Sequence, residues 1–180
     1  MTNKRKTNSV TNLKAALIDL LLEMEYSKIT IGNITQRANV SRGTFYQHFL
    51  DKDDLAYSIG TETMQRFWEI LAQGNLDKED MLLKALLLIK NDYKHFKAIS
   101  KAPHVQFKDK VQQLICDLIN SNKTIREKIK KNTKISDEIV IKAFSASFET
   151  IISFWIDNDL SESPEKVVDN IIKIEQLFWK

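Results

Sequence analysis

The chain has 180 residues, 43% hydrophobic and 28% charged, with a net charge of +3, four Gly, two Pro and one Cys. That length holds one or two small domains with a buried core; no apolar run approaches the ~18–20 residues that cross a bilayer, so no membrane span is expected, and the lone Cys116 excludes an internal disulfide framework or a Cys-based zinc finger. Scarce Gly and Pro beside abundant Leu, Ile, Lys, Glu and Ala point to an all-α fold with short connections.

The N-terminal MTNKRKTNSV is basic and runs into an amphipathic stretch without a cleavage site, so it does not read as a signal peptide, and a reducing cytoplasm is the expected compartment. Residues 1–52 hold eight basic and four acidic side chains, and the first fourteen residues hold no acid. The rest of the chain holds nineteen basic and twenty acidic side chains. A basic end on a neutral body suits a polyanion through counterion release, although a solvated tail accounts for the charge alone.

Over residues 10–24, Leu13, Leu17, Leu20, Leu21 and Met24 mark one helix face, with Asn8 or Ser9 as its cap. Thr30 begins a short second helix whose Ile31, Ile34 and Ala38 share a face. Asn39, which tolerates a left-handed backbone, ends it. Ser41 caps a third helix, Arg42 to Phe49, so that residues 30–49 form a helix-turn-helix. Asp51 caps a fourth helix to about Gln73, stopped by Gly74-Asn75. Residues 78–91 are apolar nearly all round and read as a central buried helix. A break follows, near Asn91-Asp92 or Ser100 to Pro103, before a helix from His104 to Asn120. The polar, basic segment 121–135 reads as mobile surface. Ser136-Asp137 then caps a helix to about Asn158, and Ser163-Pro164 opens the last one, Glu165 to Trp179.

A helix-turn-helix lays its second helix in the major groove of DNA. In SRGTFYQHF, Phe45 and Phe49 are four apart and anchor the helix from behind. Arg42, Thr44, Tyr46, Gln47 and His48 then face outward, with donors suited to bases and phosphate. Gly43 costs roughly 1 kcal/mol against Ala in a helix interior, which close approach to DNA explains. Lys52 and Thr30, each at a helix start, suit phosphates. An ordinary helical hairpin with a solvated polar face is the alternative.

The run Thr30-Ile31-x-x-Ile34 through Ala38-Asn39-Val40-Ser41-Arg42-Gly43-Thr44-Phe45-Tyr46-x-His48-Phe49-x-x-Lys52-x-x-Leu55 resembles the N-terminal domain of TetR-family transcriptional regulators. The likeness covers roughly residues 10–57. It implies a homodimer with a DNA-binding head (residues 1–52) and a helical effector-binding and dimerisation body (residues 53–180). It further implies that Tyr46 and Lys52 touch phosphates of a double-stranded operator while Arg42, Thr44, Gln47 and His48 supply groove contacts. On this reading Lys52→Ala flattens the salt dependence of binding. Glu25 and Asn39 stand where the family often has glycine.

In the body, Phe144, Phe148, Ile151, Ile152 and Trp155, with Val168, Ile171 and Ile172 of the last helix, form apolar stripes suited to a four-helix dimer bundle. Phe148→Glu or Ile152→Arg is then expected to abolish both dimer and DNA binding. Met64, Phe67, Trp68, Phe96, Phe107, Phe148 and Trp155 are candidates to line a small-molecule effector pocket, with ordinary core as the competing role. No His-Glu-x-x-His helix, glycine-rich phosphate loop or nucleophile elbow occurs, so neither an enzyme nor a bound metal or cofactor is expected. Asp92 and His95 read as a surface pair and Cys116 as a buried, inert thiol. The expected function is an operator-binding repressor released by an effector. A regulator answering to a protein partner, or an activator, is the alternative.

Overall fold

The computed structural model describes residues 2–71, 78–121, 123, 127 and 135–178, and among these the secondary structure is helical without strands. The α-helices, in chain order, are α1 (Thr2–Glu23), α2 (Ile31–Arg37), α3 (Arg42–Tyr46), α4 (Lys52–Leu71), α5 (Lys78–Asn91), α6 (Tyr93–Ser100), α7 (Phe107–Ser121), α8 (Asp137–Asp157) and α9 (Pro164–Phe178). Short 3-10 turns occupy Tyr26–Lys28 and Pro103–Val105. The expected stop at Gly74-Asn75, most of the segment 121–135 and the end of the last helix at Trp179 lie outside the described residues.

The helix starts largely follow their caps. Thr30 Oγ1 accepts the Asn33 N–H at 3.1 Å while Asn33 Oδ1 accepts the Thr30 N–H at 2.9 Å, a reciprocal capping box. Ser41 Oγ accepts the Thr44 N–H at 3.0 Å, and Asp51 Oδ1 accepts the N–H groups of Asp53 and Asp54. Asn39 takes the left-handed backbone expected of it, at φ 53°. Glu25 has φ −63°, so no glycine is required there.

Four boundaries differ from expectation. α1 begins at Thr2, so Asn8 and Ser9 are interior residues and not caps. Polar turns add to a packed helix at little cost and leave no apolar periodicity to mark them. α3 ends at Tyr46, three residues before Phe49, because the chain turns there to bring Asp51 into place as the α4 cap. Both candidate breaks after α5 are real, and α6 lies between them as a separate helix. Finally, Gln106 adopts φ 54°, which separates His104 from α7.

Compact packing divides the chain into Met1–Gln65 with Asp92–Phe107, and Arg66–Asn91 with Lys108–Lys180. In the first unit α1 packs on α2 and α6, burying Leu13, Leu17, Leu20 and Leu21. Ile34, Phe45, Leu55, Phe96 and Ile99 are also buried in this unit. The Arg37 guanidinium grips the Glu23 carboxylate with both nitrogens, at 2.9 and 2.7 Å, tying α2 to the end of α1. Those hydrogen bonds and the accompanying charge hold the Glu23 carboxyl below the usual carboxylate range. Thr63 Oγ1 donates to the Ile59 carbonyl, so His95 Nε2, 2.8 Å away, is the donor to Thr63; His95 is half-buried in this pair.

In the second unit α9 packs on α5 and α8 around Leu86, Ile89, Val140, Phe144, Ile156, Val167 and Ile171. By length and hydropathy alone α8 could cross a bilayer, contrary to the reading of the sequence, but 56% of its apolar window is buried inside the chain. Its buried face also carries Ser145, Glu149 and Ser153, with Ser153 donating to Glu149. Cys116 is half-buried rather than enclosed, and its thiol donates to Ser145 Oγ at 3.2 Å.

Candidate nucleic-acid interface

α3 is anchored by Phe45, fully buried, with Phe49 behind it at a ring separation of 5.8 Å. Two aromatic anchors on one side commit the opposite side of this short helix to solvent. Arg42, Gly43, Tyr46 and Gln47 are exposed there, while Thr44 and His48 are half-buried. The Tyr46 ring stands edge-on to Phe45 and is 60% exposed. Thr44 Oγ1 pairs with Ser41 Oγ at 2.9 Å, so part of its hydrogen-bonding capacity serves the start of the helix. Arg42 lies across the start of α2: a Cβ added at Gly32 would meet its Nη2 at 2.9 Å.

Among the described residues nothing calls for the glycine at 43. Its φ is not positive, and an added Cβ would meet only Ser41 Oγ, at an ordinary 3.6 Å. Gly32, by contrast, makes room for the Arg42 guanidinium.

Lys52, expected to meet a phosphate, also has partners within the chain. Its ammonium donates to the carbonyls of Tyr26 and Ile29, both at 2.8 Å, and stands 4.3 Å from the centre of the Tyr26 ring. A lysine has three donors, so two are already committed to the turn before α2. Lys52→Met is therefore expected to lower the melting temperature, by an amount corresponding to about 1.5–3 kcal/mol for hydrogen bonds from a charged group. It should change the slope of log affinity against log salt by less than one phosphate contact, ~0.9. Thermal melts and a salt titration of DNA binding measure the two separately. Thr30 likewise has its hydroxyl engaged, in the capping box.

No sequence signal brings Tyr26, Asp53 and His104 together. Their association links residues 27 and 51 positions apart and leaves no local pattern. The capping partner Asn33 stands three residues after Thr30, at the N3 position where a capping box usually carries Glu or Gln.

Six of the eight residues expected at a dimer interface are buried in the chain itself: Phe144, Phe148, Ile152, Trp155, Val168 and Ile171. Ile151 and Ile172 are half-buried. The stripe they form faces the chain's own core, because α9 and the interior use that side of α8. The exposed side of α8 presents Ile139, Ala143, Thr150 and Phe154, the last 67% exposed. Phe154 and Thr150 border an open groove of about 500 Å³ that continues to Val167 and Ile174 of α9.

The effector-pocket candidates divide between the units. Met64, Phe96 and Phe107 belong to the first, where Phe96 and Phe107 meet edge to face at 5.9 Å. Phe67, Trp68, Phe148 and Trp155 belong to the second. Trp68 is 39% exposed rather than inward, and Trp155 Nε1 donates to the Glu162 carbonyl at 2.8 Å.

Residues 13–59 match the family model described as bacterial regulatory proteins, tetR family, and residues 77–176 match one described as a transcriptional regulator C-terminal region. The chain is 28% identical over 131 residues to the fatty acid metabolism regulator protein of Bacillus subtilis (strain 168), covering 73% of this chain and 63% of that protein. It is 23% identical over 170 residues to the HTH-type transcriptional regulator YxbF of the same organism, covering 91% of this chain and 43% of that one. The chain thus spans less than two thirds of the length of either relative. Among solved structures, a TetR transcriptional regulator from Streptococcus agalactiae 2603V superposes with a TM-score of 0.71 at 18% identity, covering 96% of each chain.

Proposed function

Because the chain belongs to the TetR family of bacterial transcriptional regulators, we propose that it is a homodimeric repressor. On this reading α2 and α3 occupy a two-fold operator, and a small-molecule effector releases the protein by favouring a conformation with weaker DNA affinity. The observation that carries the reading is the exposed side of α3: donors and acceptors at Arg42, Tyr46 and Gln47 surround a glycine that the chain's own packing does not need. Arg42 and Gln47 suit base edges, Tyr46 a phosphate, and Thr44 and His48 the margin of the groove. Thr30 stands at the start of α2, and the acid-free, basic N-terminal residues add to the attraction of a polyanion.

Two-fold operators need two heads about 34–36 Å apart, which one protomer cannot supply. The exposed side of α8 and the adjoining groove on α9 offer the apolar surface for the second copy. The relative named for the regulation of fatty acid metabolism makes a fatty acid the first effector class to test. Repression requires only occupancy of the operator, whereas activation requires a further surface that recruits polymerase.

Duplexes selected from a random pool by the full chain supply the operator probe. Arg42→Ala is expected to weaken the selected duplex by about 1–3 kcal/mol and to relax base preference at one position in each half-site. Unchanged base preference in the variant would remove Arg42 from the readout. Failure of the wild-type chain to enrich any duplex would overturn the DNA-binding role itself.

A further inference from the structure

One aromatic ring holds the turn that precedes the helix-turn-helix. Tyr26, in the 3-10 turn between α1 and α2, is half-buried. Its hydroxyl donates to Asp53 Oδ1 at 2.5 Å, in the first turn of α4. Burial, and then the hydrogen bond to Asp53, push the phenol well above its usual range, so it remains a donor at any physiological pH. The Lys52 ammonium stands 4.3 Å from the ring centre. The His104 ring lies 5.4 Å from the Tyr26 ring at an interplanar angle of 31°, with its Nδ1 3.6 Å from Asp53 Oδ2.

Four side chains from three elements thus converge: the turn before α2, the start of α4 and the turn Pro103–Val105. The third is distant in sequence. Asp92–Phe107 packs with the head, through α6 on α1, while the helices that flank it in sequence, α5 and most of α7, belong to the other unit.

We propose that Tyr26, with Asp53 and His104, positions the recognition head: it locks the turn before α2 and the start of α4 to Pro103–Val105, and so sets the orientation in which α3 meets DNA. The inference rests on the DNA-binding role above. None of the three residues touches DNA; they act through the two helices they hold.

The test uses full-length Tyr26→Phe, which removes only the hydroxyl, together with His104→Ala and His104→Phe. Affinity for the duplex selected by the wild-type chain is measured well below every variant's melting temperature. Tyr26→Phe and His104→Ala are each expected to weaken binding about three- to tenfold, with the salt slope unchanged. The double variant should lose little more than the worse single one, because both changes break one joint. His104→Phe, which keeps a ring against Tyr26, should recover most of the loss. Wild-type affinity in folded Tyr26→Phe and His104→Ala would overturn the proposal and confine these residues to stability. So would additive losses, or a shallower salt slope, which would mean direct phosphate contact. Absence of sequence-selective binding by the wild-type chain is a distinct outcome: it removes the DNA-binding role, and the proposal with it.

Discussion

Gly43→Ala should make this protein more stable and a poorer DNA binder at the same time. Glycine at the second position of α3 costs backbone entropy, and its replacement by Ala recovers roughly 0.5–1 kcal/mol. For a chain of this size about 1 kcal/mol corresponds to a rise of roughly 2–4 °C in melting temperature. The gain is available because the new methyl meets only the Ser41 hydroxyl oxygen, at 3.6 Å. Against a duplex the same methyl stands on the exposed side of α3, between Arg42 and Thr44, where the backbone is expected to come closest to DNA. Displacing the helix by one carbon radius lengthens every neighbouring hydrogen bond. We expect the affinity to fall about tenfold or more, equivalent to ~1.4 kcal/mol. Thermal melts paired with fluorescence anisotropy on the selected duplex measure both quantities. A variant that is stabilised and binds as tightly as wild type would show that α3 does not approach the duplex at this residue.

Phe154→Glu is expected to give a folded monomer that has lost operator binding. Phe154 is 67% exposed in the single chain, so a change there should cost the fold within about 0.5 kcal/mol. Within an apolar interface between two copies, the same glutamate must be desolvated without a partner. Loss of the second head removes the effective concentration that links two half-sites, and the apparent affinity should drop about a hundredfold or more. Sedimentation and operator titration measure the two effects. Phe148→Glu and Ile152→Arg, the substitutions that the sequence pattern recommends, are unsuitable. Both side chains are buried within the chain, at 8% and 6% exposure, and a charge there attacks the fold itself. A Phe154→Glu protein that stays dimeric would move the interface away from this side of α8.

Much of the head was legible because its determinants are local. Thr30, Ser41 and Asp51 announce helix starts through side chains that bond amides two or three residues ahead. Asn39 marks the turn through its tolerance of positive φ, and Phe45 and Phe49 assign the buried side of α3 by spacing alone. The unmarked start of α1 and the early end of α3 had no such signal: the first depends on helix propagating from a packed segment, the second on where the next helix must begin.

The amino-acid order by itself therefore determined that the chain is helical, where the helix-turn-helix lies and which side of α3 meets solvent. These depend on interactions a few residues long. Tertiary structure alone decided that Lys52 turns inward onto the Tyr26 and Ile29 carbonyls, that Asp92–Phe107 packs with the head, and that the large apolar stripe of α8 is core while Phe154 is surface. Periodicity shows that a helix has an apolar side. It carries no information on whether that side is covered by the same chain or by another, because the burial of apolar area is non-directional and does not distinguish the source of its partner.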